Sequence, residues 1–249
     1  MNLSRHFIKI VGKESYKMTY NYQYNLMKLI YRALEVEDKK QAKYLHEKGH
    51  IVDNKKFKLL NTYLLFSDVI FEKDYIDVCK GKSIELMISG DEDYINLILK
   101  GLIKLKEICI CDCIFEIIDV RADKKIKFKK QMLYKILSQV IESTYNDRIK
   151  YLSPYDMQFY SALAHNLKRK YRIVFNEEYK DEIYFDIENV LTIKKKKIKN
   201  IKGKGYKTGY GNFNIWIEAS RKMQKVVYYT GLGQANLLGA GTLIHLTSN

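Results

Sequence analysis

The sequence predicts an α+β protein of two tandem ferredoxin-like (βαββαβ) domains. Three observations carry this reading. Stretches of strand and helical periodicity follow one another in the order strand, helix, strand, strand, helix, strand. That order restarts after "RADKKIKFKK". The chain is 249 residues long, enough for two domains of ordinary size. The boundaries are set at residues 1–122 and 123–249.

In the first domain "RHFIKIVG" reads as the opening strand. "YNYQYNLMKLIYRAL" then places Tyr22, Leu26, Leu29, Ile30 and Ala33 on one helical face, with Tyr24, Lys28 and Tyr31 opposite. Asp38 begins a second, short helix with Gln41 three residues on, as in a capping box. Gly49 closes it, and His46 falls near its end. "FKLLNTYLLF" and "SIELMISG" read as strands, and "DEDYINLILKGLIKL" as a helix with an acidic first turn. "ICICDCIFEII" reads as one more strand, with Cys109, Cys111 and Cys113 on one face as small apolar residues. Their spacing is not that of a zinc ribbon.

In the second domain "MLYKILSQVI" reads as a strand. "SPYDMQFYSALAHNLKRKY" reads as a helix with Ser153 as N-cap, Pro154 at the first helical position and an apolar face of Tyr160, Leu163, Ala164, Leu167 and Tyr171. Lys168, Arg169 and Lys170 read as complements to that helix's dipole. "YFDIENVLTIKKKKIKNI" and "GNFNIWIEA" read as a strand pair. "SRKMQKVVYYT" reads as a helix capped by Ser220, and "TLIHL" as the last strand.

Apolar residues make up 47% of the chain, enough for a packed core. No apolar run approaches the length of a membrane span, and the N-terminal stretch lacks the apolar segment of a secretion signal. Few cysteines and no secretion signal fit a reducing compartment. The expectation is a cytoplasmic protein without a membrane partner. The formal charge of +15 is unevenly spread. Residues 1–120 carry 19 basic against 18 acidic side chains, leaving 25 against 11 for the rest. A second half this basic suggests a polyanion partner, nucleic acid above all. The richest stretch is "IKKKKIKNIKGKGYKTGYGN". On a β-ribbon it presents Lys194, Lys195, Lys196, Lys197, Lys199, Lys202 and Lys204 to a phosphate backbone, with Tyr206 and Tyr210 available to stack on bases.

"GLGQANLLGAG", residues 231–241, lies between the last helix and the last strand. Gly231 reads as the helix's C′ residue. Gly239 and Gly241 offer bare backbone at the entry of the strand. No Lys-Ser/Thr pair or following helix makes it a nucleotide-binding loop.

Four stretches in order resemble the CRISPR-associated endoribonucleases of the repeat-associated mysterious protein superfamily, which cut repeat-containing precursor transcripts into guide RNAs. They are "YNYQYNLMKLIYRAL" with "YLHEKG", then "FKLLNTYLLF", "LSPYDMQFYSALAHNLKRKY" and "GLGQANLLGAG". The resemblance spans residues 5–247. It implies the same tandem ferredoxin-like fold. It also implies metal-independent cleavage without a cofactor, in which the substrate's 2′-hydroxyl attacks the adjacent phosphate to leave a 2′,3′-cyclic phosphate and a 5′-hydroxyl. The family's tyrosine, histidine and lysine fall on Tyr31, His46 and Lys58, with Lys55 and Lys56 as neighbouring alternatives to the last.

The implied partners are repeat RNA, single-stranded or as a hairpin, together with other CRISPR effector-complex subunits and a second copy of the chain as a homodimer. A departure is that "QANLL", between Gly233 and Gly239, lacks the basic residue many family members carry there. Phosphate contact then falls to backbone N–H of Gly231, Gly233, Gly239 and Gly241, to Gln234 and Asn236, and to Arg221, Lys222 and Lys225 on the preceding helix. The alternative reading is a non-catalytic repeat-RNA-binding protein on the same scaffold. His6, His165 and His245 read as structural, and His50 receives no role from the resemblance.

Overall fold

The computed structural model describes residues 1–199 and 205–246. The chain divides into two compact units, one of Asn2–Lys124 and one of Lys125–Asn249 with Met1.

The first unit runs β1 (Leu3–Gly12), β2 (Tyr16–Thr19), α1 (Gln23–Glu37), α2 (Lys39–Glu47), β3 (His50–Val52), β4 (Lys55–Phe57), β5 (Leu60–Phe66), β6 (Ile70–Phe71), β7 (Tyr75–Val78), β8 (Ser83–Asp91), α3 (Glu92–Leu105), β9 (Glu107–Ile110) and β10 (Cys113–Ala122). Its main sheet is antiparallel in the order β5-β8-β1-β10-β9. The first four strands of that list are a ferredoxin-like sheet. The helical face of α1 packs as its periodicity dictates, with Tyr22, Leu26, Leu29, Ile30 and Ala33 all buried. Helices α1 and α3 approach so closely that a Cβ on Gly101 would lie 1.8 Å from the Ala33 carbonyl oxygen.

The second unit runs β11 (Gln131–Ile136), β12 (Ser143–Asn146), β13 (Arg148–Tyr151), α4 (Met157–Phe175), β14 (Tyr184–Glu188), β15 (Lys194–Lys199), β16 (Tyr206–Gly211), β17 (Asn214–Glu218), α5 (Arg221–Thr230) and β18 (Leu243–His245). The antiparallel order β14-β17-β11-β18 repeats the ferredoxin-like pattern. Among the described residues no helix is long and apolar enough to cross a membrane.

Local chemistry fixes several boundaries. Asp38 Oδ1 accepts from the Gln41 N–H at 2.9 Å to cap α2, and Ser220 Oγ accepts from the Met223 N–H at 3.2 Å to cap α5. Gly49, at φ +61°, donates its N–H to the Tyr44 carbonyl and ends α2.

Other expectations are corrected. The run "ICICDCIFEII" is a hairpin, because Cys111 and Asp112 both take positive φ (52° and 63°) and turn the chain. The three cysteines therefore do not share a face: Cys109 is exposed on β9, Cys111 is in the turn and Cys113 is buried on β10. Ser153 does not cap α4. Its carbonyl closes a turn by accepting from the Asp156 N–H at 2.9 Å, Pro154 fills the second turn position, and the helix starts after Asp156. The buried stripe of α4 is Phe159, Leu163, Asn166, Leu167, Lys170, Tyr171 and Val174, so Tyr160 and Ala164 only flank it.

The stretch 184–218 makes two pairings instead of one. Strand β14 pairs with β17, and the lysine-rich β15 pairs with β16. The β12–β13 hairpin has no counterpart in the sequence reading.

Candidate active site

In the first unit, α1 carries Tyr31 half-buried and the last turn of α2 carries His46 exposed. Their rings meet edge to face, with centroids 5.1 Å apart and planes at 77°. Lys58 reaches the last turn of α2 from the chain after β4. "FKLLNTYLLF" is broken there: Leu59 sits at φ +48°, a conformation unusual for a bulky residue, and β5 starts only at Leu60. The kink leaves Lys58 Nζ donating to the carbonyls of Leu45 and of His46, the latter at 2.8 Å. Lys56 Nζ donates to the Glu47 carbonyl at 2.8 Å.

Two ammonium groups therefore serve the negative C-terminal end of α2. Lys58 Nζ donates to the main-chain carbonyl of His46, while Lys55 is exposed. Gly49 makes this possible, since a Cβ there would come within 2.6 Å of the Phe57 carbonyl and 3.2 Å of the Lys58 Cδ. Burial pushes the Tyr31 phenol up to about 12, so it is a hydrogen-bond donor at neutral pH. Burial, with Lys56 adding repulsion, draws Lys58 below the usual ammonium range.

Of the other histidines, His50 lies half-buried on β3 with Nε2 3.8 Å from Asp91 Oδ2. Asp91 also caps α3 by accepting from the Asp93 N–H at 3.2 Å. No spacing in the sequence signals this pair. His245 sets its ring against Tyr134 on the sheet of the second unit, 6.1 Å between centroids.

In the second unit, the glycine-rich loop is packed rather than open. Gly231, Gly233, Gly239 and Gly241 are all buried. A Cβ on Gly241 would lie 1.7 Å from the Leu232 carbonyl oxygen, and one on Gly233 would lie 2.4 Å from that of Ile141. Each also has positive φ, 67° and 65°. The N–H groups are largely used inside: Leu232 donates to Gly241, Gln234 to Ile141, Gly239 to Asn236 and Gly241 to Gln139.

The side chains assigned to phosphate in the sequence turn inward as well. Gln234 Nε2 donates to Glu142 at 2.9 Å, and its Oε1 accepts from Ser143 at 3.3 Å. Asn236 Nδ2 donates to the carbonyls of Leu232 (3.0 Å) and Ala240 (2.9 Å). Arg221 and Lys222 stand in the first turn of α5, whereas the loop follows its last turn, about 15 Å along a ten-residue helix. Lys222 is paired with Glu177 at 2.9 Å.

The cation that the loop does hold is Lys170, only 2% exposed. Its Nζ donates to the carbonyls of Thr230 (3.3 Å), Gly231 (2.8 Å) and Gly233 (3.2 Å) and to Asn236 Oδ1 (2.9 Å). It thus serves the C-terminal end of α5, a different helix from its own. Burial pulls this ammonium down to about 7, with the Glu142 carboxylate acting in the other direction. The signal for it was present in the sequence: Lys170 continues the apolar spacing Leu163, Leu167, Val174 of α4.

The basic hairpin β15–β16 presents Lys194, Lys195, Lys196 and Lys197 to solvent, with Lys197 Nζ 5.6 Å from the centre of the exposed Tyr206 ring. Lys199 pairs through its backbone with Tyr206. Lys202 and Lys204 lie outside the described residues. Ile198 points inward and packs with Ile141 and Ala240, flanked by Tyr151 and Ala235. Tyr210 is half-buried and exchanges both backbone hydrogen bonds with Val140, at 2.8 and 3.0 Å.

The chain is similar to several known proteins. Residues 122–244 match the family model described as CRISPR associated protein Cas6, C-terminal. The CRISPR-associated endoribonuclease Cas6 1 of Methanocaldococcus jannaschii is 26% identical over 91% of this chain and 87% of its own length. The CRISPR-associated endoribonuclease Cas6 of Pyrococcus furiosus is 26% identical over 95% of this chain and 88% of its own. The structure of a Cas6-related protein from Pyrococcus furiosus superposes with a TM-score of 0.84, at 20% identity and full coverage of both chains, and shares the fold. One similarity covers the second unit and the others nearly the whole chain, and together they support a CRISPR-associated endoribonuclease family, that of Cas6.

Proposed function

We propose that this endoribonuclease cuts CRISPR repeat RNA at the corner formed by Tyr31, His46 and Lys58, without a metal, and so matures guide RNAs in the cytoplasm. The observation that carries the reading is the contact of the Tyr31 and His46 rings with Lys58 bound to the His46 carbonyl. It stands in a chain related over nine-tenths of its length to an endoribonuclease.

The substrate's 2′-oxygen attacks the adjacent phosphorus, the bond from phosphorus to the 5′-oxygen breaks, and the 2′-proton leaves as the 5′-oxygen gains one. His46 is the proton-transfer group, since an imidazole exchanges protons at neutral pH. Tyr31 keeps its proton and serves as a donor that also sets the imidazole plane. Lys58 supplies the charge that meets the non-bridging oxygens as negative charge builds. RNA is held by the exposed lysines of β15, with Tyr206 stacking on a base.

Incubation of the protein with repeat RNA in EDTA tests this. Cleavage to a 2′,3′-cyclic phosphate and a 5′-hydroxyl is expected, and none when the scissile nucleotide is 2′-deoxy. Bound but intact RNA after long incubation replaces the reading with a binding protein, and cleavage of the 2′-deoxy substrate removes the mechanism.

A further inference from the structure

A lysine buried to 2% exposure among carbonyl oxygens calls for a reason beyond packing. We propose that Lys170 is the positioning residue of the RNA-holding surface, fixing the glycine-rich loop and, through it, the basic β15–β16 hairpin. The proposal rests on the reading above in one respect, that the β15 lysines hold RNA.

Three peptide units supply the carbonyls that Lys170 gathers, and the N–H of each is tied elsewhere. The unit ending at Thr230 donates through Gly231 to Val227, that of Gly231 through Leu232 to Gly241, and that of Gly233 through Gln234 to Ile141. Lys170 therefore holds one end of the peptides whose other ends pin the loop to the entry of β18 and to the segment before β12. Asn236 extends the tie. Its Oδ1 accepts from Lys170 while its Nδ2 reaches the carbonyls of Leu232 and Ala240.

Ala240 in turn shares one buried apolar cluster with Ile141 and with Ile198 of the basic hairpin. The same segment meets the hairpin's second strand, where a Cβ on Gly209 would lie 2.7 Å from both Ile141 Cγ1 and the Val140 carbonyl oxygen. Contacts thus run without a break from Lys170 Nζ to the strand bearing Lys194–Lys197.

The electrostatics give the reason for a lysine. Burial is unfavourable enough to pull its ammonium down, and the charge that opposes this is Glu142. A methionine would fill the same space without that penalty. What a methionine cannot do is direct donors at carbonyl oxygens that must face inward for the loop to keep its path.

The experiment compares Lys170→Met and Lys170→Arg with the wild type on a fluorescein-labelled repeat RNA. Lys170→Met is expected to fold cooperatively and to weaken RNA binding by about tenfold. Its cleavage rate at saturating RNA is expected to stay within about twofold of wild type. Amide hydrogen exchange over residues 231–242 should speed up in the absence of RNA, and Lys170→Arg should recover part of the affinity.

A packing role alone predicts loss of melting temperature with no change in affinity of the folded fraction. That result, or wild-type affinity and wild-type exchange, overturns the proposal. If Lys170→Met does not fold, Asn236→Ala carries the same test: it keeps Lys170 but removes an acceptor and both Nδ2 bonds, and unchanged affinity overturns the proposal. Failure of the wild type to cut RNA counts against the cleavage reading alone, because exchange and binding are read without turnover.

Discussion

The Tyr31–His46–Lys58 corner and the glycine-rich loop are built on opposite principles. At the corner the imidazole is exposed and Lys58 holds the helix-end carbonyls of Leu45 and His46. In the loop most backbone N–H groups have a protein partner, and Gly233 and Gly241 let backbone pass against backbone. Chemistry on a phosphate requires groups whose hydrogen-bonding capacity is left for the substrate. A surface that holds a long polyanion requires a rigid base. The difference teaches that glycine density marks close backbone approach first, and that exposed donors, here the β15 lysines, have to be looked for beside it.

Separable variants can break this comparison. The largest effect belongs to His46→Ala, expected to slow single-turnover cleavage by about 10²–10⁴-fold. Because His46 is exposed, the melting temperature should not move. A comparable rate in the variant would take His46 out of the mechanism.

Next comes Gly241→Ala. Its Cβ would lie 1.7 Å from the Leu232 carbonyl oxygen at φ +67°, so about 3 kcal/mol or more of stability should be lost, read by urea denaturation. A loss below about 1 kcal/mol would mean that the loop is looser than described.

Third, replacing Lys194, Lys195, Lys196 and Lys197 together with alanine should weaken RNA binding. The slope of log affinity against log salt should fall by about 3 if all four meet phosphate. An unchanged slope would place the RNA elsewhere.

The smallest effect in cleavage is Tyr31→Phe, which keeps the ring contact and removes one hydrogen bond, for a rate loss of about tenfold. A loss as large as that of His46→Ala would make the hydroxyl itself a proton-transfer group.

Lys170 adds a pH dependence. The folded state holds its pKa at about 7 against 10.5 for an unburied lysine, so between those values the unfolded chain binds more protons. Stability should therefore rise with pH across that window, and Lys170→Met should flatten the rise. Denaturation midpoints on either side of the window measure it.

What was legible in the sequence was local. The α1 face follows from spacing alone, and the caps at Asp38, Ser220 and Gly49 follow from side-chain chemistry within a few residues. That Tyr31 and His46 stand together was to be expected only through resemblance, because one exposed histidine at a helix end carries no spacing signal of its own.

What was missed depended on contacts distant in sequence or on turns without their usual residues. Cys111 and Asp112 reverse the chain without a glycine or asparagine, so β9 and β10 read as one strand. Ser153 and Pro154 carry the residue types of a helix start, yet the Ser153 carbonyl closes a turn first. Lys170 lies on the apolar register of α4, but its partners are some sixty residues away. Its place near the end of α4 reads as a complement to that helix's own dipole, whereas it serves the end of α5. Nothing in "QANLL" reveals that Glu142, Leu232 and Ala240 claim the amides of Gln234 and Asn236.

The most direct test sets the two regions against each other on one labelled repeat RNA, measuring dissociation constant and saturated single-turnover rate for His46→Ala and for the four-lysine variant. The account predicts that His46→Ala lowers the rate by about 10²–10⁴-fold and keeps the wild-type dissociation constant. The lysine variant should weaken binding and keep the saturated rate. If both variants change the same quantity, cleavage and holding are not divided between these regions, and the account is contradicted.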